Sequence, residues 1–88
     1  MKIQDSLILV DVRELTEAPR LDAYNPIEIP IADLNNNRDK LTEKPLVFVC
    51  QSGRRSLLAV KIILEYNPKA VVYSLKGGVN GMIKKNII

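Results

Sequence analysis

Cys50-Gln51-Ser52-Gly53-Arg54-Arg55-Ser56 holds the only cysteine of the 88-residue chain, between an apolar run, Leu46 to Val49, and a glycine followed by two arginines. A thiol is nucleophilic as its thiolate, and its ordinary pKa of about 8.5 falls beside backbone amides, cations or a helix N-terminus. A loop joining a strand to a helix supplies all three, because its N–H groups turn toward the positive end of the helix dipole. Several amides converge on one atom only where some residue accepts a left-handed backbone, and Gly53 is the residue for that. Arg54 or Arg55 supplies positive charge, and Ser56 can cap or brace the first helical turn. The chain has no histidine, which excludes Ser-His and Cys-His catalysis and most transition-metal sites, and one cysteine excludes an internal disulfide and a Cys-x-x-Cys redox pair.

The elements that would position this loop follow from the hydrophobic pattern. Leu7-Ile8-Leu9-Val10-Asp11-Val12 is short, β-branched and nearly all apolar, as in a strand covered on both faces, with Asp11 and Arg13 at its end. Residues 14–26 mix charge with two prolines and read as loop with one turn of helix, and Ile27-Glu28-Ile29 is a short strand stopped by Pro30. Asn35-Asn36-Asn37 marks a loop, and a short helix over Arg38 to Glu43 ends before Pro45. Leu46-Val47-Phe48-Val49 is a second buried strand. From Ser56, Leu57, Val60, Ile63 and Leu64 share one helical face, broadened by Ala59, Ile62 and Tyr66, leaving Lys61 and Glu65 to solvent, until Pro68 ends the helix. Ala70 to Ser74 is another strand, Lys76-Gly77-Gly78 a turn, and Val79 to Ile88 a weakly patterned last segment ending near Lys84 and Lys85, cations suited to a helix C-terminus. Strands alternating with helices predict one α/β domain over residues 1–88, with a small, mostly parallel sheet flanked by helices.

Composition narrows the function classes. No stretch approaches the roughly 20 apolar residues that cross a bilayer, and the N-terminus lacks a secretory signal pattern, so no membrane association and a cytoplasmic location are expected. Residues 1–49 carry six Lys or Arg against nine Asp or Glu, a net −3, whereas residues 50–88 carry seven against one, a net +6. That field favours a thiolate and attracts anions. Nucleic acid is not expected as a partner, because Phe48 and the three tyrosines are not interleaved with a basic run.

The loop resembles the active-site loop of rhodanese-like sulfurtransferases, Cys-x-x-Gly-x-Arg-Ser/Thr. Leu9-Val10-Asp11-Val12-Arg13-Glu14 is similar to that family's first Asp-x-Arg strand, and Leu75-Lys76-Gly77-Gly78 to its Leu-x-Gly-Gly segment, over roughly positions 7 to 84. Two features depart from the pattern: Ile27-Glu28-Ile29-Pro30-Ile31-Ala32-Asp33 has no histidine where the family often has His-Ile-Pro-Gly-Ala, and Met82 stands where tryptophan is common. The resemblance implies a rhodanese-like three-layer fold and transfer of a sulfane sulfur through a Cys50 persulfide, with no metal or organic cofactor. Thiosulfate or a protein persulfide would be the donor. Cys50 and Arg55, at the loop-closing position, are the implied catalytic residues. Gln51, Ser52, Gly53, Arg54 and Ser56 would form the cradle, with Arg54 as the donor-binding charge, while Asp11 and Arg13 read as a structural pair and Gly77 and Gly78 as a turn with close packing.

Cysteine phosphatases with a similar fold place five residues between cysteine and arginine; here four intervene, a smaller ring of amides suited to one sulfur atom rather than a phosphoryl group. A different class also stays open, an interaction module of the same fold that docks a partner without turnover. The short approach to the first strand is similar to the rhodanese-like domains at the C-terminus of adenylating enzymes for sulfur-carrier proteins in molybdopterin and thiamine biosynthesis. That narrower resemblance implies a longer parent chain, with a cysteine desulfurase and a sulfur-carrier protein as partners.

Overall fold

The computed structural model describes residues 7–41 and 44–88. Four short strands, β1 (Ile8–Asp11), β2 (Ile27–Glu28), β3 (Leu46–Val49) and β4 (Val72–Ser74), form one sheet in the order β2-β1-β3-β4 with every neighbouring pair parallel. Parallel neighbours require crossovers. The one between β3 and β4 contains helix α1 (Arg54–Tyr66), and helix α2 (Gly78–Lys84) follows β4. The crossover from β2 to β3 holds two short 3-10 segments, Ile31–Asn36 and Arg38–Lys40.

Period-two alternation sorts the strand residues onto two faces. Val10, Leu46, Phe48 and Cys50 join Ala59 and Ile63 of α1 and Leu34 and Leu41 of the β2–β3 crossover in one buried cluster. Leu9 and Val49 point the other way and pack with Leu21 and Val79, with Met82 of α2 at the margin. The cysteine is thus the next residue of the β3 alternation after Phe48, directed beneath α1. Its placement follows from packing: Phe48 is fully buried, a side chain whose truncation to alanine costs about 3–5 kcal/mol in a core, so the register of β3 is strongly held.

Several boundaries differ from the sequence expectations. Helix α1 begins at Arg54 rather than Ser56, because Gly53 at φ +103° turns the chain directly into the first helical turn. Its buried residues are Ser56, Ala59 and Ile63, while Leu57 and Leu64, expected on the core face, are exposed. The helix face is rotated because Ser56 is drawn under the loop by the polar contacts described below. Asn35 and Asn36 end a 3-10 segment rather than a loop, since Leu34, fully buried, anchors that turn against the core. Ile29 lies just past β2, yet its N–H donates to Asp11 O at 3.0 Å and continues the ladder. β4 starts at Val72, two residues later than expected, and residues 79–84 belong to α2. Of the helix expected over Arg38 to Glu43, Arg38–Lys40 is 3-10 and residues 42–43 lie outside the described residues.

Candidate active site

The β1–β3 register brings Asp11 level with Val49, so the segments after both strands leave the same end of the sheet side by side. Cys50 follows β3 at that end, fully buried, and the chain folds back over its sulfur to start α1. Two N–H groups point at the sulfur: Gly53 N donates to Sγ at 3.0 Å and Ser56 N at 3.4 Å. The thiol donates to Ser56 Oγ at 3.6 Å, a contact whose direction reverses once the sulfur is a thiolate. Ser56 Oγ in turn donates to Gly53 O at 3.1 Å and lies 2.6 Å from Ser74 Oγ at the end of β4.

Burial alone pushes the Cys50 thiol up. The Ser56 hydroxyl and the amides of Ser56, Gly53 and Ser52 pull it down and prevail, so the group sits below the ordinary thiol value. The shift is downward because N–H dipoles, including the first turn of α1, present their positive ends to the sulfur.

Outside the amides stands a brace in which the close packing expected of the Gly77-Gly78 turn is made against the cysteine loop. Val79 N donates to Cys50 O at 2.9 Å and Asn80 N to Gln51 O at 2.9 Å. With those two carbonyls turned outward to α2, the peptide N–H of Ser52 is free to face the sulfur. The approach is possible because Gly78, at φ +59°, has no side chain; a Cβ there would meet Cys50 O and lie 2.7 Å from Gln51 O. The Gln51 side chain points away from the sulfur, accepting from Arg13 Nη1 at 3.0 Å and donating to Asn80 Oδ1 at 2.8 Å.

Asp11 and Arg13 are fully buried and paired, with Arg13 Nε on Asp11 Oδ1 at 3.0 Å and Nη2 on Oδ2 at 2.9 Å. Arg13 also holds Pro19 O at 2.9 Å, so one guanidinium ties β1, the following loop and Gln51 together. Arg55 is directed to Glu17, which takes both of its terminal nitrogens at 2.7 Å. That pairing holds the Glu17 carboxyl down at about 2 and raises Arg55. Arg55 is thus engaged by Glu17, while the hydrogen bonds to the Cys50 sulfur come from Gly53 and Ser56. Ser52 and Arg54 are exposed and border an open cleft beside the loop, shared with Leu57, Ser74, Lys76 and Gly77. Among the described residues, no group of three or more His, Cys, Asp or Glu side chains could hold a metal ion, and no buried side-chain nitrogen or oxygen lacks a partner.

Glu17, Ser74, Gly78 and Asn80 were not singled out as site residues from sequence. Only Ser74 carried a usable signal: alternation along β4 puts it on the same face as Val72, toward α1. Glu17 arrives on the loop after β1, and Asn80 on the short helix α2, whose weak apolar pattern does not encode its docking.

A family model described as "Rhodanese-like domain" matches residues 1–85. The chain belongs to the rhodanese-like domain family. Among solved structures, a rhodanese-related protein from Thermoplasma volcanium superposes with a TM-score of 0.78 at 25% identity, covering 94% of this chain and 82% of that one. A NAD-dependent persulfide reductase from A. fulgidus aligns with a TM-score of 0.71 at 32% identity over 83% of this chain, but only 13% of that larger protein. The protein named "Putative sulfur carrier protein YrkF" from Bacillus subtilis (strain 168) is 28% identical over 74 residues. Those residues are 83% of this chain, and the match spans 40% of the length of that relative. The rhodanese-like α/β fold and a sulfur-transfer-related role are what these likenesses share. Among the described residues no helix is long and apolar enough to cross a membrane.

Proposed function

We propose that this chain is a sulfurtransferase in which Cys50 carries a sulfane sulfur as a persulfide. The observation that carries the reading is the convergence of the Gly53 and Ser56 amides on Cys50 Sγ, within a chain of the rhodanese-like family. With thiosulfate as donor, the Cys50 thiolate attacks the outer sulfur, a Cys50 S–S bond forms, the donor's S–S bond breaks, and sulfite leaves with that bonding pair. Charge and oxidation level balance without a further reagent. The outer sulfur carries negative charge, which the loop amides and the field of Arg55 stabilise, and Arg54 at the rim attracts the anionic donor. No metal or organic cofactor takes part, and a protein persulfide can replace thiosulfate as donor.

Full burial of Cys50 favours one second reading, a docking module of the same fold without turnover, because a nucleophile must be reached. Intact mass after incubation with thiosulfate separates the two. The carrier reading expects a gain of about one sulfur mass, removed by reduction and absent from Cys50→Ser. No adduct from thiosulfate or from a small persulfide donor contradicts it and leaves the docking module.

A further inference from the structure

The cleft beside the loop has a volume of about 460 Å³. α1 forms one wall with Arg54 and Leu57, and the end of β4 and its turn form the other with Ser74 and Lys76. Its lining residue Ser74 is linked to the sulfur by contact, since Ser74 Oγ is 2.6 Å from Ser56 Oγ, itself 3.6 Å from the buried Cys50 Sγ.

Charge around the loop is unevenly engaged. On the side facing β1, Arg13 is paired with Asp11, Arg20 with Glu28, and Arg55 with Glu17. The cleft side has Arg54 and Lys76 and no acidic lining residue. The single acidic residue of positions 50–88 is Glu65, eleven residues along α1 from Arg54, about three turns away. Leu57, 63% exposed, lines the same cleft as these cations. A small dianion would meet the charge and leave the leucine in water. A peptide segment carrying carboxylates and one apolar side chain meets both, burying apolar area at about 25 cal/mol per Å² while its charges face the cations.

Resting on the reading of Cys50 as a sulfur carrier, we infer that this cleft docks an acidic segment of a partner protein, with an apolar side chain seated on Leu57 and a partner thiol brought to the persulfide. The partner's thiol passes its proton to the negatively charged outer sulfur of the Cys50 persulfide and, as a thiolate, attacks that sulfur. A new S–S bond forms on the partner, the Cys50 S–S bond breaks, and Cys50 leaves as a thiolate, so the sulfane sulfur and its proton move with no oxidant required.

The test uses two dye-labelled peptides of equal length, one of Asp and Glu around a single Leu, the other with each acid replaced by Lys, titrated against the protein by fluorescence anisotropy. The acidic peptide is expected to bind about tenfold more tightly at low salt, and the ratio should approach one near 1 M salt, where the screening length is about 3 Å. Lys76→Glu should cut the ratio to about twofold or less, and Leu57→Ser should weaken the acidic peptide several-fold, with thermal melts showing both variants folded. Equal affinities in the unmodified protein, or a ratio unmoved by Lys76→Glu, would overturn the inference and leave the cleft as a port for small anions. Sulfur loading by intact mass on the same samples reports separately: peptide preference without loading refutes the carrier reading alone, and loading without preference refutes the docking alone.

Discussion

At the residue scale the site is a contest between burial and hydrogen bonding at one sulfur. Burial raises the Cys50 thiol, and the Ser56 hydroxyl is the strongest of the groups that lower it. Ser56→Ala removes that hydroxyl and keeps the Ser56 amide. We expect it to reduce the thiolate fraction at neutral pH roughly fivefold, about 1 kcal/mol, read as an upward shift in the pH profile of thiolate absorbance. Glu17 gives a second prediction of opposite pH character. Its carboxyl is held at about 2 against an ordinary 4.5, so its pairing with Arg55 stabilises the fold fully above the ordinary value and the contribution fades as pH falls toward 2. Both partners are half-buried, and solvent screening limits the effect to about 1 kcal/mol or less. Glu17→Gln should therefore lower stability to denaturant at pH 7, with the deficit shrinking as pH falls toward and below about 2; a deficit independent of pH would contradict this pairing.

At the element scale, the cradle depends on α2 as much as on the loop. Adding a methyl at Gly78 forces a Cβ into the carbonyls of Cys50 and Gln51, whereas the same methyl at Gly77, φ +80°, meets Gly81 Cα at a tolerable 3.5 Å. Gly78→Ala is expected to cost about 3 kcal/mol or more and Gly77→Ala about 1 kcal/mol, measured by denaturant unfolding. Equal costs would mean that α2 does not brace the loop. This brace shows where sequence reasoning stops. The strands were legible because Ile8 to Asp11 and Leu46 to Val49 are apolar enough to be buried on both faces, and the cysteine loop because its glycine and arginines sit at informative spacings. The rotation of α1 was not legible: Leu57 and Leu64 look like core residues by period, and only the pull of Cys50, Gly53 and Ser74 on Ser56 turns that face inward. Nor could the Gly-Gly turn be read as part of the site, since the carbonyls it approaches lie 27 and 28 residues earlier in the chain.

At the scale of the whole molecule, three cations of residues 50–88, Arg54, Arg55 and Lys76, stand beside the cysteine loop, whereas Lys69 precedes β4 at the opposite end of the sheet. The radius of gyration, 12.1 Å, is close to the screening length of about 8–10 Å at physiological salt, so charges near the loop dominate its field. Raising ionic strength from about 0.01 M to 1 M should slow loading of Cys50 by thiosulfate several-fold, while loading by a neutral persulfide donor changes little. Equal salt dependence would remove the anion-attracting role of this half. The central claim is that folding shifts the Cys50 thiol below its ordinary pKa, against the burial that opposes the shift. Because a lowered native value stabilises the fold above the unfolded thiol's pKa and is lost as pH falls through the native one, native and unfolded chains must titrate differently. The most direct measurement is the pH titration of ultraviolet thiolate absorbance for the native protein and for the same protein in denaturant, each corrected with Cys50→Ser. The account predicts a native midpoint below the unfolded one; a native midpoint at or above it would contradict the account, leaving Cys50 a buried thiol governed by desolvation.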